Sequence, residues 1–216
     1  MSRMRAIKVI DHALTGASPE SAEYFINVGG LSSIFPIFMQ KGYSKFKKTY
    51  SDFSAKEDAG IIYFILEHAI SIIASLFRNI ETPQSMARIS SKISENDFEK
   101  LYKLIELFTK YQVHSLKTDL ELEKKNIDVV IDHEADYIYR LGSGLYTLQM
   151  LTLVLISLAS QQNEFRRLIV ELLEKNMCDL DTLFLMAQEY VLNIADGKEG
   201  EIERSRVEIM CALMLN

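Results

Sequence analysis

The chain has 216 residues, 48% of them hydrophobic, with 11 Phe, 10 Tyr and no Trp, and only 3 Pro and 9 Gly. That is ample for a continuous core and too poor in turn chemistry for a β-rich fold or long disordered linkers. A formal net charge of -6 argues against phosphate-backbone binding as a main activity, and suits basic peptides or serves solubility alone.

Taken in chain order, "SPESAEYFINVGG" places Ser18 at an N-cap, Pro19 at the first helical position and Gly29 and Gly30 past the end of a short helix. "LSSIFPIFMQKG" follows, with Pro36 expected to kink or restart it and Gly42 to close it. Ser44 to Lys56 reads as a polar, basic connector. From Ala55 to Ile80 apolar residues recur at helical spacing, and Thr82-Pro83 ends that long helix. "SENDFEKLYKLIELFTKYQ" takes Ser94 as its N-cap and carries the apolar stripe Leu101, Leu104, Ile105 and Phe108.

Lys117 to Asp132 is charged and poorly amphipathic, and reads as an exposed helix extension or a connector. A second long helix spans Glu134 to Ser160, and three shorter ones follow in "NEFRRLIVELLEKN", "DLDTLFLMAQEYVLNIADG" and "EIERSRVEIMCALML". No strand alternation of any length occurs. Helices of mixed length, apolar on more than one face and joined by short connections, fit a stacked all-α helical repeat better than a four-helix bundle. The expectation from these patterns is one stacked helical-repeat domain, an α-solenoid, over residues 1–216.

Motifs for chemistry are missing. Glycine-rich phosphate loops, HExxH and GxSxG are absent, and Gly142 and Gly144 in "RLGSGLY" read as a close helix contact or a kink. Cys178 and Cys211 fit no CxxC spacing, so two buried thiols are expected rather than a zinc site or a disulfide. His133 lies among Asp132, Glu134 and Asp136, but on a helix it points about 100° away from the aspartates. Acidic residues opening a helix explain that cluster without a metal. The chain is read as a non-enzyme with no cofactor and no metal.

No basic segment followed by an apolar one opens the chain, which argues against secretion. The apolar run from Leu148 to Ser160 is too short for a bilayer span. An intracellular, soluble protein is therefore expected.

One pattern stands out on the long helix. Glu67, Ser71, Ser75 and Asn79 are spaced by four, with His68 and Arg78 flanking them, so they form one polar line. It is either the solvent face of a surface helix or the floor of a groove. Short uncharged side chains favour the groove, because an Asn amide both donates to and accepts from a peptide backbone. Glu189 and Asn193 repeat the arrangement near the end of another helix.

"SLFRNI" and "YVLNIADG" resemble the last turn of the third helix of armadillo repeats, where an Asn holds the backbone of a bound peptide; Asn79 and Asn193 are the matching positions. The Trp that import receptors carry four residues earlier is replaced by Ser75 and Glu189. The blocks "IKVIDHALTG", "GGLSSIFPIFMQKG", "ISENDFEKLYKLIELFTKYQ" and "ADYIYRLGSGLYTLQ" resemble, in that order, the C-terminal part of the β-catenin-like protein 1 family.

The resemblance implies a nuclear scaffold of a Prp-nineteen-type spliceosome-associated complex. It would bind basic, nuclear-localisation-like segments of splicing factors, the Myb-domain subunit among them, and no nucleic acid directly. The expected peptide-binding residues are Glu67, Ser71, Ser75, Arg78, Asn79, Glu189 and Asn193. The alternative is a structural subunit or homodimer assembled through exposed apolar helix faces, for which "VEIMCALML" is the candidate.

Overall fold

The computed structural model describes residues 2–16, 18–41, 55–125 and 133–215. Among the described residues the regular structure is helical throughout, with no strand. In chain order the helices are α1 (Ser2–Thr15), α2 (Pro19–Asn27), α3 (Gly30–Phe38), α4 (Ala55–Asn79), α5 (Pro83–Lys125), α6 (His133–Arg140), a π-helical turn (Leu141–Leu145), α7 (Tyr146–Gln161), α8 (Asn163–Lys175), α9 (Leu180–Leu192) and α10 (Lys198–Leu215). The chain divides into two compact units, Met1–Lys100 and Leu101–Asn216. The Ser44 to Lys56 connector lies outside the described residues except for its last two, which open α4.

The first unit is built around α4. Every residue from Ala69 to Phe77 is buried, so the helix is enclosed on all sides rather than amphipathic. Helices α1, α2 and α3 pack on it. Gly29 takes the left-handed conformation after α2, at φ 85°. Next to it, a Cβ on Gly30 would sit 2.4 Å from the Phe25 ring, so a larger residue there would have to displace that ring from between α2 and α3. Ser18 occupies the N-cap position of α2, although its hydroxyl does not bond the first-turn amides. Helix α3 runs through Pro36 instead of restarting there.

The sequence reading is silent on the start of α5. It begins at Pro83 because the Thr82 hydroxyl accepts from the Ser85 amide at 3.3 Å, an N-cap bond. The Glu23 carboxylate on α2 accepts in turn from the Thr82 amide (3.1 Å) and hydroxyl (2.8 Å) and from the Ser85 hydroxyl. The helix start expected at Ser94 corresponds to a break in α5. Asn96, Asp97 and Phe98 have φ of 56°, 52° and 61°, all left-handed. Asn and Asp tolerate that region through their short polar side chains. Ser94 does not cap; its hydroxyl donates to Ser91 O at 3.0 Å.

The second unit centres on α7, buried without interruption from Thr147 to Ala159. Helices α8, α9 and α10 pack on it, and α6 enters it through the π-helical turn. The last part of α5 contributes Leu101, Leu104, Ile105 and Phe108 to the core, as the stripe predicts. The helix continues through Lys117–Lys125, the described part of the second connector. Gly144 has φ 107°, and a Cβ there would meet the Tyr111 ring at 3.1 Å, so this glycine of the pair marks both a kink and a close contact, while Gly142 has open space around it. Burial raises the pKa of both thiols, that of Cys178 and of half-buried Cys211.

Two stretches, Gly60–Asn79 and His133–Gln161, are long and apolar enough by length and composition to cross a membrane. The second extends the run from Leu148 to Ser160, which alone is too short, back through the π-helical turn. Their most apolar windows are 56% and 72% buried within the structure, as the central helices of two cores would be.

Candidate functional site

The polar line on α4 is the seat of α1. Ala6 and Ile10 of α1 line a cavity with Ile62 and Ile65 of α4, and Leu14 and Thr15 meet Asn79 and Arg78. The two helices therefore run alongside each other in the same direction. His68 Nδ1 lies 2.6 Å from Asp11 Oδ2, with both side chains largely buried. Ser71 and Ser75 are 1% and 2% exposed.

At the end of the line, Asn79 Nδ2 donates to Leu14 O at 2.9 Å and Arg78 Nη2 to Thr15 O at 2.7 Å. These are last-turn carbonyls of α1, which have no partner within their own helix. A cation at that end also favours the helix dipole. Glu67 is half-buried and already engaged. The placement differs from the sequence reading: the asparagine amide holds a backbone, but that of the chain's own first helix.

Glu189 and Asn193 sit elsewhere, in the second unit, where an acidic cavity of about 480 Å³ opens between three helices. Helix α5 supplies Asp119 and Glu123, α6 supplies His133, Asp136 and Arg140, and α9 supplies Glu189 with its C-cap Asn193. Asn193 Nδ2 donates to Glu189 O at 2.8 Å and closes its own helix.

Arg140 is fixed at the centre. Its Nε donates to Asp119 Oδ1 at 2.6 Å, its Nη2 reaches Asp119 Oδ2 at 3.5 Å, and its Nη1 donates to Glu189 Oε1. Burial pulls the guanidinium pKa down, but the Glu189 and Asp119 carboxylates outweigh it and leave the pKa raised. The other oxygen of Glu189, Oε2, is buried with no hydrogen-bond partner. The cavity thus carries four carboxylates around one guanidinium.

Sequence reasoning finds Glu189 but misses Asp119, Glu123 and Arg140. The available signal was weak: Asp119/Glu123 and Asp136/Arg140 are each spaced by four, and so share a helix face. Among the described residues no group of three or more His, Cys, Asp or Glu side chains is placed to hold a metal ion.

Enclosed central helices, flanking helices packed on them and the absence of strands among the described residues define an all-α protein and are consistent with a helical repeat. Residues 1–186 match the family described as "Catenin-beta-like, Arm-motif containing nuclear", and the chain belongs to that family. Beta-catenin-like protein 1 of Bos taurus is 31% identical over 226 residues, covering 100% of this chain and 38% of the relative. The Homo sapiens protein is 30% identical with the same coverage. The Schizosaccharomyces pombe homolog is 27% identical over 215 residues, covering 96% of this chain and 33% of its own length. The chain therefore spans little more than a third of these relatives and matches their C-terminal part. The family is described as Arm-motif containing and nuclear.

Proposed function

We propose that this chain is a nuclear protein-interaction module that holds basic segments of splicing factors within a Prp-nineteen-type complex, the Myb-domain subunit being one such partner. The single observation that supports this reading best is the acidic cavity of the second unit. Asp119, Glu123, Asp136 and Glu189 converge on it from three helices around a guanidinium already bound by two of them. A cleft lined by one sign of charge attracts the opposite charge and fixes its register more than it adds raw affinity. Among the residues expected to bind peptide, Glu189 and Asn193 belong to this cavity. Arg78 and Asn79 are engaged in seating α1, and Ser71 and Ser75 are buried.

The test is fluorescence anisotropy with a labelled basic peptide at low and moderate salt. Glu123 is exposed, so Glu123→Lys should leave the fold intact and weaken binding about tenfold or more. Glu208→Lys on exposed α10, an equal change in net charge, should weaken it far less. Equal losses in the two variants would reduce the effect to overall charge and remove the cavity as the site.

A second reading is a structural subunit that assembles through apolar helix faces. Leu192, Ile202, Ile209 and Leu215 favour it, being 83%, 59%, 59% and 69% exposed. It requires a mass that rises with concentration in light scattering and returns to the monomer value in Ile209→Glu.

A further inference from the structure

We propose that the outward face of the second half of α5 is a docking seam for an acidic, amphipathic helix of a partner protein. The seam lies in the second unit, on a different face of α5 from the acidic cavity, and does not depend on the reading of that cavity.

Past the left-handed break at Asn96–Phe98, α5 runs to Lys125 with no further departure from helical geometry. Its inner face is core, with Leu104, Leu107, Phe108 and Tyr111 buried. On the outward face Val113, Leu116 and Leu120 are 44%, 52% and 55% exposed. Their spacing of three and then four residues is that of a coiled-coil seam, by which one helix packs along another. A helix face that meets only water carries polar and charged side chains instead. An apolar stripe with a charged rim marks a contact surface.

The rim sets the charge of the partner. Lys103, Lys110, Lys117 and Lys124 recur every seven residues and so follow one edge of the seam, drifting by about 20° per heptad. Lys103 already holds Glu106 at 2.8 Å. Lys117 and Lys124 are exposed, and each stands four residues after a seam residue, Val113 or Leu120. Glu121 shares this edge and leaves it net positive. The other edge carries Gln112 and Asp119, the latter spent on Arg140, and Glu123 follows only beyond Leu120. A helix laid on the seam therefore meets lysines along one side, which favours Asp or Glu beside its own apolar stripe.

The footprint selects a single helix. Three aliphatic side chains over about two turns fall far short of the roughly 800 Å² per partner that a stable interface between two folded chains buries. A bilayer surface fits less well, because an interfacial helix carries a broad apolar face with aromatic anchors, and this seam has three aliphatic residues and one basic edge.

The experiment is anisotropy of a labelled three-heptad peptide, with leucine at the first and fourth positions of each heptad and glutamate at the fifth and seventh. It is titrated with the full chain as wild type, as Leu116→Gln and as the double variant Lys117→Glu/Lys124→Glu, with circular dichroism on each. Both variants should bind about tenfold more weakly than wild type. Arg167→Glu/Lys198→Glu, an equal change in net charge at exposed positions elsewhere in the second unit, should change binding less than twofold. No binding to the wild type overturns the proposal. So do equal losses in the two double variants, which would reduce the effect to overall charge, and full affinity in Leu116→Gln, which would remove the seam. Should Leu116→Gln fail to fold, Leu120→Gln replaces it and carries the same expectation. Two further readouts name the other occupants: sedimentation with phosphatidylserine vesicles in place of peptide binding would assign the face to a membrane. A concentration-dependent mass in light scattering, abolished by Leu116→Gln, would assign it to a second copy. Either result overturns the proposal.

Discussion

The side-chain amide of Asn79, the last residue of α4, donates to the carbonyl of Leu14 in the last turn of α1 at 2.9 Å. Beside it Arg78 takes the next carbonyl, that of Thr15. One helix end thereby closes another. Asn79→Ala should lower the unfolding free energy by about 1–2 kcal/mol, the cost of a lost hydrogen bond with its acceptor left behind. Asn79→Asp should cost more, because a carboxylate would face a carbonyl. Urea denaturation of both variants checks this. Basic-peptide affinity measured alongside should not change in Asn79→Ala, because the amide is spent inside the first unit.

What could be read in advance divides along a physical line. Helices α4 and α7 are legible because their apolar residues repeat at helical spacing over many turns, a purely local signal. The glycines beside α2 and α7 are legible for a similar reason, since a left-handed backbone or a close approach needs them whatever the fold. The seat of α1 is not legible: a line of serines ending in Asn looks the same under water, under a peptide and under a helix. Choosing among these requires knowing that Asp11, Leu14 and Thr15 return to His68, Asn79 and Arg78. The cavity is hidden for the same reason, because Asp119, Arg140 and Glu189 meet only after three helices have packed. At Ser94 the boundary was legible and the cap was not.

Helix α8 ends in a Schellman arrangement. Met177 N donates to Glu174 O at 3.0 Å and Cys178 N to Leu173 O at 3.0 Å, with Met177 left-handed at φ 56°. Glycine normally fills that position, and the Met177 side chain is 101% exposed, so it packs on nothing. Met177→Gly should therefore raise stability by about 0.5–1 kcal/mol, against the usual direction of glycine substitutions. A higher denaturation midpoint with an unchanged m-value is the expected result; a lower midpoint would mean that the backbone there is not held left-handed.

Gly142 and Gly144 share the π-helical turn and should respond in opposite ways. Nothing lies within 4 Å of a Cβ at Gly142, so Gly142→Ala should be neutral or stabilising by up to about 1 kcal/mol through loss of freedom in the unfolded chain. At Gly144 a Cβ would meet the Tyr111 ring at 3.1 Å and the His114 ring at 3.4 Å, on a backbone at φ 107°. Gly144→Ala should cost about 2 kcal/mol or more through strain and overpacking. Thermal melts of the two variants test the contrast, and equal effects would refute it.

The last expectation concerns acid. Glu99 accepts from Lys41 Nζ at 2.8 Å and from Asn96 Nδ2 at 2.9 Å. The Lys41 bond, then the Asn96 amide, hold the carboxyl at about 2, below its ordinary 4.5. Because the folded-state value is the lower one, the unfolded chain takes up the proton first as pH falls. The contribution of Glu99 is thus complete above about pH 4.5 and fades from there down to about pH 2. Replacing it by Gln should flatten that part of the stability profile and leave the shape above pH 5 unaltered. Lys41→Met should flatten it nearly as much, since the ammonium is the largest cause of the depression. Urea midpoints at half-unit intervals between pH 2 and 6, for wild type and both variants, measure the effect. Parallel profiles in the three proteins would show that the pair is not coupled to folding, as exposed ion pairs often are not.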